Sequence, residues 1–218
     1  MGRNKYTPEQ RAQIITTFLS AATKILRTEG VKGVSIRKVA AMAGYNSATL
    51  YLYFKDVNDL ITLASIGYLE GYCRTLANSR GQMTDALSTY LYAWQVLSRY
   101  ATAHPDVFYQ LFFGEHDEPL SASVERYYSI HPGELANLDD GIIQFLTRGD
   151  LADRNRFLLD RLAATGTVDA SKVENINLLT VAYFKSLLEE LMSARGTEVP
   201  AEFVPDRMDQ MNRFLLEL

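Results

Sequence analysis

Cysteine is nearly absent from this 218-residue chain: one residue, Cys73, excludes an internal disulfide and any multi-cysteine zinc site. It lies in an apolar-rich run over residues 66–76, where a buried small hydrophobe is favoured over a reactive redox switch. No segment approaches the ~20 uninterrupted apolar residues of a membrane span, and residues 1–7 hold no signal-peptide core, so a cytoplasmic protein without a membrane partner is expected. Catalytic signatures are missing as well: there is no Gly-x-Ser-x-Gly, no His-Glu-x-x-His and no phosphate-binding glycine loop. Histidine is scarce, with no pair at i and i+4. The loop Gly114-Glu115-His116-Asp117-Glu118-Pro119 does set a histidine among carboxylates. Side chains adjacent in sequence seldom converge on one ion, so an acidic solvated loop is favoured over a metal site. The expectation is therefore no catalysis, no metal and no cofactor.

What is present begins at Ser35. Ile36, Val39, Ala40 and Ala43 recur at helical spacing, Ser35 can cap the start, and Gly44 can take the left-handed conformation that ends the helix. Asn46 can cap a second short helix anchored by Leu50 and Phe54. The outward positions Ser47, Ala48, Thr49, Tyr51, Tyr53 and Lys55 are small, hydroxylated, phenolic or cationic, which suits a surface pressed into a groove lined by phosphates and base edges. The pattern predicts a helix-turn-helix. Arg37 and Lys38 open its first helix within reach of phosphates or a flanking base; Ser47 and Thr49 face the groove; Tyr51, Tyr53 and Lys55 clamp the backbone; Ser35 and Asn46 complete the DNA-contacting set.

Here the chain resembles the TetR (tetracycline-repressor-like) family of transcriptional regulators, through Ala43-Gly44, Thr49-Leu50-Tyr51 and Tyr53-Phe54-Lys55. The resemblance covers residues 8 to 65 and implies a dimeric, ligand-responsive regulator. Asn46 stands where the family usually caps with serine, and Val57 where it usually has a cation.

Charge supports the same reading independently. The chain as a whole is at −4, yet residues 1–60 hold nine Lys/Arg against four Asp/Glu, leaving thirteen against twenty-two for residues 61–218. A basic head attracts phosphates while an acidic lobe stays soluble and repels them.

Thr7-Pro8-Glu9-Gln10 marks a well-capped first helix, with a stripe of Ile15, Phe18, Leu19, Ala22, Ile25 and Leu26 ending at Gly30. Arg3, Lys5 and Arg11 sit at its free end. Asp56-Val57-Asn58-Asp59 opens a longer helix that belongs to both lobes. Further breaks fall near Asn78 to Gly81, Gly114 to Pro119, His131 to Gly133, Gly149, Gly166 and Gly196 to Pro200, and no period-2 strand pattern, repeat or low-complexity tract competes. The expected fold is all-α, about nine or ten helices: an N-terminal three-helix DNA-binding domain (1–56) followed by a helical ligand-binding and dimerisation domain (57–218).

Two features of the second domain stand out. Aromatics are dense there, and core packing competes with ligand contact for each of them; Tyr68, Tyr72, Tyr90, Trp94, Phe108 and Phe112 are the first candidates for a cavity wall. The last two helices, Asn175 to Ser193 and Asp206 to Leu218, carry apolar stripes through Ile176, Leu179, Tyr183, Leu187 and Leu191 and through Met208, Met211, Leu215 and Leu218. These close a four-helix bundle between subunits or pack within one chain; a palindromic operator favours the homodimer. The leading expectation is a repressor released from double-stranded DNA by a small apolar or aromatic effector. A regulator or adaptor controlled by a protein partner is the alternative, and an all-helical enzyme a distant third.

Overall fold

The computed structural model describes residues 6–135, 140–194 and 199–217, which contain eleven α-helices and no strand. Arg3, Lys5 and Leu218, and most of the break at Gly196 to Pro200, lie outside the described residues. The helix beyond the expected count comes from His104-Pro105, which divides α5 (Ala86–Ala103) from α6 (Pro105–Phe113). Proline lacks the amide hydrogen a helix needs and pushes the residue before it out of the helical region, and His104 sits at φ −142°, ψ 62°.

The head is built from α1 (Pro8–Glu29), α2 (Ile36–Ala43) and α3 (Ser47–Leu50). Thr7 and Gln10 form a reciprocal cap, the Thr7 amide donating to Gln10 Oε1 at 2.9 Å and the Gln10 amide to Thr7 Oγ1 at 3.2 Å. The buried stripe of α1 includes Ile14, with Ile15 only partly covered, so that face is turned slightly from the expected one. Phe18 holds the head together, its ring 5.1 Å from Tyr45 and 6.1 Å from Phe54.

From Asp56, whose carboxylate accepts from the Asp59 amide at 2.9 Å, α4 (Val57–Asn78) runs out of the head. It packs on α1 at one side and on α5, α6, α7 (Leu120–Ile130) and α8 (Asp140–Leu146) at the other. Behind it, α5 meets α9 (Leu151–Ala164) and α11 (Phe203–Glu217), while α10 (Val173–Ser193) covers α6, α9 and α11. Among the described residues no helix is long and apolar enough to cross a membrane.

Candidate nucleic-acid interface and lobe interior

The turn between α2 and α3 is fixed locally. Ser35 Oγ accepts from the Lys38 amide at 3.3 Å, Gly44 takes φ 77° at the end of α2, and Asn46 Oδ1 accepts from the Thr49 amide at 2.8 Å. Asn46 also takes the Thr49 hydroxyl at 3.0 Å, so both side chains serve the cap before they serve a groove. Ser47 is half-buried beside them. Arg37 and Tyr51 stand exposed with no side-chain partner among the described residues, Tyr51 at 56%. Leu52, at 74%, and Met42 share this surface and were not singled out from the sequence. Two cations are engaged: Lys38 pairs with Glu29, and Lys55 Nζ lies 3.1 Å from Glu118. The Glu118 carboxylate, by hydrogen bond and by charge, raises the Lys55 ammonium above its ordinary value.

Lys55 therefore reaches the lobe, and two further contacts join it there. Arg126 on α7 donates through Nη1 to both carboxylate oxygens of Asp59, at 2.8 and 3.1 Å, and through Nη2 to the Tyr53 carbonyl at 2.5 Å. Half-buried Tyr53 thus meets α7 through its backbone. On the opposite side, Asp106 Oδ2 accepts from the Val31 amide at 2.6 Å. A Cβ on Gly30, which sits at φ 71°, would run into that carboxylate. In the acidic loop, His116 places Nδ1 3.3 Å from Thr62 Oγ1 and Nε2 3.0 Å from the Leu111 carbonyl, so both ring nitrogens are occupied.

The six aromatic wall candidates do not share one wall. Tyr72 and Trp94 line a small space with Phe145, Leu151, Arg154 and Asn155, and Phe112 lies behind it with its centroid 5.9 Å from the Arg154 guanidinium. Tyr68 packs against the His104 ring, Tyr90 donates to Asn212 Oδ1 at 3.1 Å, and Phe108 is wholly buried against Phe112. The lined space is about 10 Å³, room for one water, so the expected ready-made cavity is closed here. Cys73 is buried, and burial pushes its thiol far above the ordinary range. Polar groups thread this interior: Trp94 Nε1 donates to Asn155 Oδ1 at 2.8 Å, and Asn155 Nδ2 to Asn177 Oδ1 at 2.9 Å.

Residues 18–62 match the family model described as bacterial regulatory proteins, tetR family. The head of the chain is of the tetR-family type. Solved structures share the fold over nearly its whole length. Thermus thermophilus FadR, a TetR-family transcriptional repressor crystallised with lauroyl-CoA, is 15% identical over 93% of each chain, with TM-score 0.60. RolR in complex with resorcinol is 17% identical over 97% of this chain and 95% of its own, also at 0.60. The fatty acid degradation regulator FadR from Bacillus halodurans is 13% identical over 92% and 97%, at 0.56. At such identities the likeness is one of fold. No curated protein matches the chain by sequence.

The last two helices correct part of the expected interface. Leu187, Met208 and Leu215 are no more than 1% exposed inside the single chain, so they cannot line a contact between subunits without unpacking it. Tyr183, Leu191 and Met211 are half-buried. The apolar surface left over is Leu178, Leu179, Met192 and Phe214. Arg207 Nη1 lies 3.1 Å from Glu190 and ties α11 to α10 beside this surface.

Proposed function

We propose that this chain is a homodimeric repressor that binds a palindromic operator through α2 and α3 and is released by a small apolar or aromatic effector taken up in the lobe. The observation that carries the DNA reading is the surface of exposed Arg37 and Tyr51 and half-buried Ser47 on a turn whose backbone is capped on both sides. Exposed cations and phenols position a protein on phosphates, and a small hydroxyl reads base edges. Two heads about 34 Å apart would meet successive major grooves, and the Leu178, Leu179 and Phe214 face is the one available to pair the subunits.

Coupling follows from α7. Tyr128 faces the lobe interior, while Arg126, two positions earlier, holds Asp59 and the Tyr53 carbonyl at the root of α4. An effector that parts the interior shifts α7 and with it the register of the head, provided it binds the two states with different affinity. A protein partner in place of the small molecule is the second reading, favoured by how little space lies beside Tyr72 and Trp94.

Fluorescence anisotropy on a fragment of the gene's own promoter, at two salt concentrations, tests the DNA reading. Binding that falls steeply with salt is expected. Salt-independent binding, or none, overturns it. Sedimentation of Leu179→Glu with Phe214→Glu tests the pairing face: a folded monomer is expected, since the interface would otherwise bury unpaired charge. A double variant that still sediments as a dimer places the interface elsewhere.

A further inference from the structure

Leu52 is the most exposed large apolar side chain among the described residues, and it stands in the surface that the head offers to DNA. Single apolar side chains are common on protein surfaces, so its place matters more than its exposure. The chain keeps turning after α3: the Tyr51 amide donates to the Ser47 carbonyl at 3.3 Å, the Leu52 amide to the Thr49 carbonyl at 3.2 Å and the Tyr53 amide to the Leu50 carbonyl at 3.0 Å. Leu50 and Phe54, the anchors on either side, are both buried in the head. Leu52 lies two positions from each of them, a little over half a turn, and therefore points out of the head. Ala48, four positions earlier and also exposed, lies on the same side. Thr49, between the two, has its hydroxyl tied to Asn46 Oδ1 at 3.0 Å. The outermost line of the turn is thus apolar, while exposed Tyr51 beside it and exposed Arg37 on α2 are left to meet phosphates.

We propose that Leu52 reads a thymine in each half of the operator by packing against its C5-methyl group. A leucine side chain neither donates nor accepts, so it forms no hydrogen bond with a phosphate or a base edge, and the thymine methyl is the apolar group that a base pair presents in the major groove. Contact takes methyl and leucine surface out of water together, and that gain is lost where cytosine, which has no methyl, stands in its place. Thymine is told from cytosine there without a directed bond. The basic head, with nine Lys/Arg against four Asp/Glu over residues 1–60, makes DNA the occupant of this surface rather than an apolar protein face. The inference rests on the DNA reading above and adds to it one residue and the chemical group it recognises.

The test uses the full chain, the promoter fragment, and a second copy of that fragment in which every thymine is replaced by uracil. The replacement removes the methyl and leaves the hydrogen-bonding edge unchanged. Fluorescence anisotropy is expected to show the uracil fragment bound ~5-fold or more weaker. Single thymine-to-uracil replacements are expected to trace the effect to one position in each half-site. Leu52→Ala is expected to bind the thymine fragment ~5-fold weaker than the parent does and the two fragments equally, which separates the methyl contact from any change that uracil makes in duplex shape. Because Leu52 is exposed, the variant should melt close to the parent temperature. Leu52→Gln, similar in size, also brings the ratio of the two affinities to unity, whereas Tyr51→Phe keeps the ratio while weakening both fragments. Equal affinity of the parent for the two fragments overturns the inference and leaves the DNA reading standing. A thymine preference that survives in both Leu52 variants overturns the assignment to this residue in the same way. No binding of the parent to the thymine fragment overturns both.

Discussion

The head and the lobe treat polar side chains in opposite ways. In the head, Thr7, Ser35, Asn46 and Asp56 are all at helix starts, each accepting from a backbone amide, and the interior around Phe18 is apolar. In the lobe, Asn155, Asn177, Asn212 and Arg154 are buried; Asn155 joins Trp94 to Asn177, and Asn212 accepts from Tyr90. Buried Ser65, Ser98 and Tyr128 hydroxyls there have no hydrogen-bond partner among the described residues. An apolar core around a local cap set gives one rigid shape, whereas a polar interior gains or loses much when its partners change. The first suits a surface that must fit a fixed groove, the second a compartment that must respond.

The sharpest way to break the contrast is in the apolar head. Phe18→Ala removes the ring that both Tyr45 and Phe54 touch, and a loss of about 3–5 kcal/mol is expected by urea denaturation. A loss under ~1 kcal/mol would mean the head has no single keystone. At the junction, Arg126→Met leaves Asp59, whose side chain is 9% exposed, without its guanidinium. It should lower stability by about 2 kcal/mol and, more tellingly, make DNA affinity less responsive to effector while effector affinity changes little. Full retention of the response would place the coupling in α4 alone.

On the groove face, Ser47→Ala is expected to change base preference by about 1 kcal/mol, whereas Tyr51→Phe weakens all duplexes alike. The reverse result would exchange their roles. Thr49→Ala is expected to act chiefly through loss of its tie to Asn46. The smallest effect concerns pH. Half-buried His104 has its imidazole held below the ordinary value by burial, with nearby Arg27 acting the same way and Asp106 opposing. The folded state then binds fewer protons than the unfolded one, so this contribution is present above the usual imidazole range and is lost as the pH falls through it. The melting temperature of His104→Gln should drop less than that of the parent between neutral and mildly acidic pH. An equal drop would remove His104 from the account.

Much of this was legible in the sequence because it is local. A cap needs a short polar side chain next to a helix start, and a left-handed turn favours glycine, so Thr7, Ser35, Gly44, Asn46 and Asp56 could be read directly. What depends on a distant neighbour could not. Leu179 and Leu187 lie on the same apolar helix, and only the placement of α11 decides which one stays outside. Pro205 reads as a breaker, yet it lies in the first turn of α11, where its missing amide hydrogen costs nothing, so that helix starts at Phe203 rather than Asp206. Arg154 sits in the polar run Asp153-Arg154-Asn155-Arg156, where nothing marks it as interior. Lys55 has the pattern of a phosphate clamp, but Glu118, far along the chain, already holds it.

The two ends of the α7 arrangement are separated by two positions, which on a helix of 3.6 residues per turn places them on nearly opposite sides of the axis. Arg126 and Tyr128 therefore ride the helix like opposite teeth of a small wheel. A roll of ~10° about its axis moves a side chain ~6 Å out by about 1 Å, and the two ends move in opposite senses. That displacement is enough to carry the 2.5 Å bond from Arg126 to the Tyr53 carbonyl out to the limit of hydrogen-bonding range. On the proposed reading, a disturbance beside Tyr128 too small to reshape the lobe would thus be geared to an engaged-or-released contact at the Tyr53 carbonyl.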